Sequence, residues 1–170
     1  MSKPLVAIVM GSDSDMQIMK VTADVFDKFN VAYKIKIASA HRSPRLVQEF
    51  SRGAEESGIE VIIAGAGGAA HLAGVIASET VLPVIGVPID SSSLKGLDSL
   101  LSIVQMPGGV PVATMSIGVA GARNAALFAI QILARKDELL LNKYKKYKDD
   151  MADAVEEKNK KVEIRSKKSD

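Results

Sequence analysis

The stretch "LVAIVMGSDSD", residues 5–15, decides the fold of the chain. Six apolar residues run without a break into a glycine, which is followed by alternating serines and aspartates. A short apolar run of this kind is typical of a strand that is buried on both faces of a sheet. The polar residues after it are of the types that begin helices. Residues 5–15 therefore predict a buried strand that turns into a helix.

The same order of strand, polar turn and helix recurs along the chain. Short β-branched runs are each followed by Gly, Ser or Pro and then by a segment compatible with a helix. Alternation of this kind predicts an α/β protein with a doubly wound parallel sheet. The predicted strands are Leu5–Met10, Tyr33–Ile37, Val61–Ala64, Val84–Val87 and Pro111–Met115.

Apolar residues at helical spacing predict helices over Met16–Phe29 and Pro44–Ser57. Pro44 suits the first helical position, and Ser43 is the predicted N-cap before it. A further helix over residues 119–136 carries a smooth face, which suits either core packing or a subunit interface. The residues of this face are Ala122, Ala125, Ala126 and Ala129.

The end of the chain is mixed in charge and poor in large apolar residues. We expect a helix from residue 137 to about residue 157, and a charged, disordered tail over residues 158–170. The absence of internal repeats and long linkers favours one α/β catalytic domain, residues 1–157, that includes this C-terminal helix.

The composition narrows the class of function. Apolar residues make up 47% of the chain, the net charge is only +2, and there is no cysteine. The missing cysteines exclude disulfides, thiol nucleophiles and zinc–thiolate sites. No apolar run is long enough for a signal peptide or a membrane span. We therefore expect a cytoplasmic protein whose partners include neither nucleic acid nor a membrane.

Ligands of open parallel sheets bind beyond the carboxyl ends of the strands. The loops at that edge include "SAHRSP", residues 39–44, and "AGAGGAAHL", residues 64–72, and they hold both histidines of the chain, His41 and His71. An imidazole can move a proton near neutral pH, and the planar fork of Arg42 suits phosphate or carboxylate.

Several other chemistries lack their motif in this sequence. The glycines of residues 64–72 do not have the G-x-G-x-x-G spacing, and there is neither a Walker lysine nor a G-x-S-x-G elbow. Two histidines thirty residues apart give no recognised metal-ligand spacing. The pattern favours acid–base chemistry on a small phosphorylated molecule, with His41 as the proton-transferring group. A nucleotide- or flavin-binding module and a non-catalytic interaction scaffold remain as alternatives.

Six ordered motifs within roughly residues 5–135 resemble the class I N5-carboxyaminoimidazole ribonucleotide mutases of de novo purine biosynthesis. The motifs are "VMGSDSD", "SAHRSP", "AGAGGAAHL", "LPVIGVP", "DSLLSIVQMPGGVPVAT" and "IGVAGARNAAL". The resemblance implies a three-layer αβα fold of flavodoxin type, a homo-octamer, a ribonucleotide substrate, and neither a metal nor an organic cofactor.

The resemblance also implies a reaction and the residues that perform it. The substrate loses CO2, the CO2 stays trapped, and ring carbon C4 takes it up, with His41 as general acid and base and His71 in a supporting role. Ser12, Asp15 and Arg42 match substrate-binding positions of the family. The same loops add Ser14, Ser39, Gly67 and Gly68 as residues that line the sites of the ribose phosphate and of the carboxylate or CO2.

The opening turn can then be interpreted residue by residue. Ser12 and Ser14 suit the phosphate, Asp15 suits the ribose hydroxyls, and we expect Asp13 to face solvent or to cap the helix. A sister class, the CO2-using aminoimidazole ribonucleotide carboxylases, is the alternative function. That class is expected to carry lysine in place of Arg42 and a loop with less glycine in place of residues 64–72, so both features favour the mutase.

Overall fold

The structure, a computed structural model, describes residues 3–90 and 93–166. The chain divides into two compact units, Met1–Ala129 and Ile130–Asp170. The strands are β1 (Val6–Met10), β2 (Tyr33–Ile37), β3 (Val61–Gly67), β4 (Val84–Ile89) and β5 (Ala113–Thr114). The helices are α1 (Met16–Phe29), α2 (Pro44–Gly53), α3 (Leu72–Glu79), α4 (Leu97–Val104), α5 (Val119–Leu133) and α6 (Glu138–Ser166).

The strands form one parallel sheet in the order β2-β1-β3-β4-β5. The chain starts near the middle of the sheet, winds outward to β2, and then returns across β1 to β3. The two directions of winding separate between β1 and β3, which is where such sheets open a crevice for a ligand. The predicted doubly wound parallel sheet of flavodoxin type is therefore confirmed.

The side chains of the central strands alternate between two apolar layers. Ala7 and Ile62 belong to a core cluster with residues of α2, α3 and α4. Their neighbours Ile8 and Ile63 point to the opposite face, toward α1, and are fully buried. Gly65 lies on that same face, directly under Met19 of α1. Burial of each such isoleucine contributes about 1.5–3 kcal/mol, so the two layers hold the sheet between the helices.

The alanine face of α5 packs inside the first unit. The hydroxyl of Thr22 in α1 donates a hydrogen bond of 2.9 Å to the carbonyl oxygen of Ala122. The four alanines of this face, Ala122, Ala125, Ala126 and Ala129, are all fully buried. Of the two uses that the sequence left open for this face, the structure shows core packing.

Two helix ends differ from the prediction. Helix α2 ends at Gly53 rather than at Ser57, because the chain turns at Gly58, where φ is +87°, and brings Ile59 into the core. Helix α6 continues to Ser166, beyond the end predicted near residue 157, so residues 158–166 of the predicted tail are helical. Residues 167–170 lie outside the described residues.

The assignment of residues 1–157 to one catalytic domain stays a prediction. In the described ranges, no helix combines the length and the apolar character that a membrane span requires.

Candidate active site

A cavity of about 510 Å³ lies at the carboxyl edge of the sheet, beyond β1, β2, β3 and β4. Residues from all four post-strand segments line it. Each of the predicted site residues is among them: Ser12, Ser14, Asp15, Ser39, His41, Arg42, Gly67, Gly68 and His71. The structure thus brings the predicted residues together around one space.

The turn after β1 is organised by its own polar side chains. Ser12 and Asp15 form a capping box, in which the Ser12 N–H donates to Asp15 Oδ2 at 3.0 Å and the Ser14 N–H donates to Ser12 Oγ at 3.4 Å. Asp13 is exposed, and its Oδ1 accepts from the Ser12 hydroxyl at 3.0 Å and from the Ser14 N–H at 3.1 Å. Asp13 therefore does what we expected of it, and it holds Ser12 and Ser14 at the cavity wall.

Asp15 is the buried carboxylate of the cavity, with 9% of its surface exposed. Burial raises the pKa of Asp15, while hydrogen bonds from Ser12, Gly11 and Ser14 and the positive charge of Arg42 oppose that rise. The net shift of the Asp15 pKa is upward, so the ionised form of this carboxyl lowers the stability of the folded protein. An ionised carboxylate at a cavity wall is a strong acceptor for ligand hydroxyls.

The loop after β2 is closed by Ser39 and Ser43. The Ser39 N–H donates to Ser43 Oγ at 2.9 Å, and the Ser43 hydroxyl donates back to the Ser39 carbonyl at 3.1 Å. Ser43 occupies the N-cap position of α2, but its side chain makes no capping hydrogen bond. The predicted N-cap position of Ser43 is therefore confirmed, although its side chain does not bond the helix. Its hydroxyl instead stiffens the loop that presents His41 and Arg42.

Arg42 connects the loops after β1 and β2. Its Nη2 donates to the Gly11 carbonyl at 2.9 Å, and its Nε lies 3.5 Å from Ser39 Oγ. The guanidinium is exposed and lines the cavity. Two of its N–H directions fix its orientation, so the remaining ones can face an anion in the cavity.

The two histidines of the chain meet at the cavity. His41 Nε2 and His71 Nδ1 are 2.9 Å apart, and the rings lie edge to face with centroids 5.0 Å apart. A hydrogen bond at this distance requires one nitrogen to carry the proton and the other to accept it. Because the two nitrogens share a hydrogen bond, a proton can pass between the two rings. Both histidines are exposed and line the cavity.

Gly67 and Gly68, at the end of β3, let the backbone lie close to the end of β4. A Cβ on Gly67 would lie 3.2 Å from the Ile89 carbonyl oxygen, and Gly68 has a φ of +62°. Both features favour glycine because a side chain would crowd the end of β4 or strain the turn. The chain can therefore turn tightly here and carry His71 back toward His41.

The sequence profile of the AIR carboxylase family matches residues 5–154. This chain belongs to the AIR carboxylase family. Its similarity to other members is high over most of their length. It is 60% identical to the N5-carboxyaminoimidazole ribonucleotide mutase of Pyrococcus horikoshii over 161 residues. These residues make up 95% of this chain and 90% of that relative. The mutase of Bacillus subtilis is 61% identical over 141 residues, or 83% of this chain and 87% of the relative.

Solved structures agree with this membership in the AIR carboxylase family. The crystal structure of Treponema denticola PurE superposes with a TM-score of 0.84 at 30% sequence identity, over 93% of this chain and 98% of that one. The resemblance inferred from the six sequence motifs is thereby confirmed for the family and for the fold.

Two features of this family member's cavity were not predicted. One is the hydrogen bond between His41 and His71, because the sequence gives no distance between loops thirty residues apart. The other is Asp90, which follows β4 directly and lines the cavity. The sequence "PIDSSSLKG", residues 88–96, already places the Asp90 loop at the ligand-binding edge, but nothing in it singled out Asp90 itself.

Proposed function

We propose that the protein is an isomerase that converts N5-carboxyaminoimidazole ribonucleotide to 4-carboxy-5-aminoimidazole ribonucleotide. The observation that carries the proposal is the hydrogen-bonded pair of His41 and His71 in one cavity with Arg42 and Asp15. The cavity thus combines a proton-transferring group with groups suited to phosphate and ribose. Relatives that carry the mutase name are 52% to 61% identical to this chain.

The phosphate and the ribose of the substrate match the hydrogen-bond donors and the carboxylate acceptor of the cavity. Ser12, Ser14, Ser39 and Arg42 supply hydroxyl and guanidinium donors, which suit the phosphate. Asp15 supplies an acceptor for the ribose hydroxyls. The contact between the Arg42 guanidinium and the Gly11 carbonyl supports this division, because it places Arg42 beside the turn that holds Ser12 and Asp15.

The reaction is proposed to begin with decarboxylation at the exocyclic nitrogen. The bond from nitrogen to the carboxyl carbon breaks, its electron pair stays on nitrogen, and His41 donates a proton to that nitrogen. The CO2 stays in the cavity beside the turn at Gly67 and Gly68, where the absence of side chains leaves room for it.

Carboxylation at the ring carbon completes the proposed reaction. C4 attacks the trapped CO2, a carbon–carbon bond forms, and the proton on C4 passes to His41, which returns to its starting state. His71 supports His41 by holding its ring through their hydrogen bond. An imidazole suits both proton transfers because its ordinary pKa, about 6.5, lies near physiological pH. The substrate and His41 account for every proton and electron pair, so the proposal needs no metal and no organic cofactor.

The test is an assay of the purified protein with two substrates. Turnover of N5-carboxyaminoimidazole ribonucleotide to the 4-carboxy product supports the proposal. Turnover only of aminoimidazole ribonucleotide plus bicarbonate contradicts it and assigns the protein to the CO2-using carboxylases. Arg42 and the glycine-rich turn at Gly67 and Gly68 favour the first outcome.

We also propose that the protein works in the cytoplasm as a homo-octamer. Helix α4 supports self-association, because Leu97, Leu101 and Val104 lie along it with 52%, 48% and 49% of their surface exposed. Neighbouring half-exposed apolar residues of this kind are typical of surfaces that bind another protein. The mass in solution, measured by light scattering, tests the assembly, and a monomer at micromolar concentration would contradict it.

A further inference from the structure

Asp90 is a carboxylate of the cavity that has no role in the reaction described above. It follows β4 directly and lines the cavity together with Gly67 and Leu72. Within residues 3–90 and 93–166, its carboxylate makes no hydrogen bond or ion pair and is exposed. No residue of these described ranges therefore occupies its four acceptor sites.

The backbone at Asp90 is held firmly although the side chain is exposed. The hydroxyl of the buried Ser99 lies 2.8 Å from the Ile89 carbonyl oxygen and 2.9 Å from the Gly96 carbonyl oxygen. Gly96 has a φ of +86°, and a Cβ there would lie 3.2 Å from the Asp90 Cα. These contacts fix the backbone from which the Asp90 side chain extends, as a ligand-binding residue requires.

The position of Asp90 in the sheet sets it apart from the anion-binding groups. Arg42 follows β2 and Asp90 follows β4, with β1 and β3 between them. At the usual spacing of about 4.8 Å, these two strands are about 14 Å apart. A phosphate held at Arg42 therefore leaves the base of a ribonucleotide as the part that extends toward Asp90. A carboxylate repels anions and accepts hydrogen bonds from N–H groups, so it suits a base that carries an amine.

We propose that Asp90 accepts a hydrogen bond from the exocyclic nitrogen of the aminoimidazole base. This inference rests on the proposed function for the identity of the base. The exocyclic nitrogen keeps at least one N–H both before and after loss of CO2, so the bond persists through the reaction. When His41 delivers its proton, the nitrogen becomes a neutral amine with two N–H groups, and the Asp90 carboxylate can accept from either of them. Asp90 is in this way a binding residue that orients the ring while C4 meets CO2.

The test compares two probes that differ only in the base. Dissociation constants of aminoimidazole ribonucleotide and of ribose 5-phosphate are measured for the wild type, Asp90→Ala and Asp90→Asn. We expect Asp90→Ala to weaken binding of the aminoimidazole ribonucleotide about ten- to hundredfold, the range of a hydrogen bond to a charged group, and to leave ribose 5-phosphate binding unchanged. Asp90→Asn, which keeps an acceptor oxygen, is expected to recover part of the loss.

The matched control is Asp24→Ala, because Asp24 is an exposed aspartate of α1 outside the cavity. We expect this variant to bind both probes like the wild type. Equal loss of affinity for both probes in Asp90→Ala would overturn the assignment to the base, and unchanged affinity in both Asp90 variants would overturn it as well.

Turnover of N5-carboxyaminoimidazole ribonucleotide by the wild type, measured in parallel, tests the proposed function separately. If that turnover is absent while the two probes still separate in Asp90→Ala, the proposed function fails and the contact with the base stands. If the wild type binds neither probe, both fail.

Discussion

Strand β1 and the turn that follows it are adjacent along the chain and differ in almost every property. Val6–Met10 is apolar and fully buried, and its backbone is paired on both sides. From Gly11 onward the chain is polar and partly exposed, and Ser12 and Asp15 line the cavity. The same change occurs at the ends of β3 and β4. Stability and chemistry thus depend on neighbouring but different segments of the chain, so substitutions should separate the two.

The largest expected effect on chemistry is that of His41→Asn. Asparagine cannot donate and regain a proton at physiological pH, so turnover of N5-carboxyaminoimidazole ribonucleotide should fall about a hundred- to ten-thousandfold. The free energy of unfolding and the affinity for aminoimidazole ribonucleotide should stay close to the wild type, because His41 is exposed. Steady-state kinetics and chemical denaturation measure these quantities. His71→Asn is the matched variant and should lose less, and unchanged turnover in His41→Asn would remove His41 from the mechanism.

Ile63→Ala tests the other half of the comparison. Ile63 is fully buried in β3, between Ile8 and Ile85, so its truncation should lower the free energy of unfolding by about 2–5 kcal/mol. Turnover per folded molecule should remain near that of the wild type. Ile35→Ala in β2, where 41% of the side chain is exposed, should cost clearly less in a denaturant titration. Equal losses in the two variants would show that the central strands are not the main source of stability.

Arg42→Lys should act on binding more than on chemistry. A lysine ammonium cannot bond the Gly11 carbonyl and reach Ser39 Oγ while also presenting a planar fork to an anion. We expect KM for the N5-carboxylated substrate to rise about tenfold, with a smaller change in kcat. Initial-rate kinetics separate the two constants. A higher kcat at unchanged KM would contradict the binding role.

The smallest expected effect is a pH-dependent one at Asp15. Because burial raises the pKa of Asp15 in the folded protein, the native state holds more protons than the unfolded state between the unfolded and the native pKa. The contribution of Asp15 to the free energy of unfolding therefore falls as pH rises through that window. Asp15→Asn removes this fall, and its amide oxygen can still accept from the Ser12 N–H.

Denaturation of both proteins from about pH 4 to about pH 7 measures this difference. The variant should gain stability relative to the wild type as pH rises, and it should bind the ribonucleotide more weakly. A relative gain by the wild type over the same range would mean that the surrounding hydrogen bonds outweigh burial at Asp15.

The sequence predicted the sheet well because its signals are local. The bounds of Tyr33–Ile37 and Met16–Phe29 agree with β2 and α1, since apolar runs and helical spacing are properties of neighbouring residues. Helix ends were less predictable. The end of α2 depends on the turn at Gly58, and the extent of α6 to Ser166 depends on a charged segment without a sequence signal for its end.

The candidate site was predictable as a set of loops but not as a set of contacts. The rule for parallel sheets gathers the loops of His41 and His71 at one edge, and the structure places them around one cavity. Their direct hydrogen bond, and the bond of the Ser43 hydroxyl to Ser39, depend on the tertiary arrangement of loops and have no signature in the order of residues. The roles of the site residues in binding and catalysis stay predictions.

The proposed reaction moves one carboxyl group within one bound substrate. It is tested most directly by turnover of N5-carboxyaminoimidazole ribonucleotide that carries carbon-13 in its carboxyl group, in the presence of excess unlabelled bicarbonate. We expect the 4-carboxy product, analysed by mass spectrometry, to retain the label. A product that carries unlabelled carboxyl carbon from the medium would contradict it.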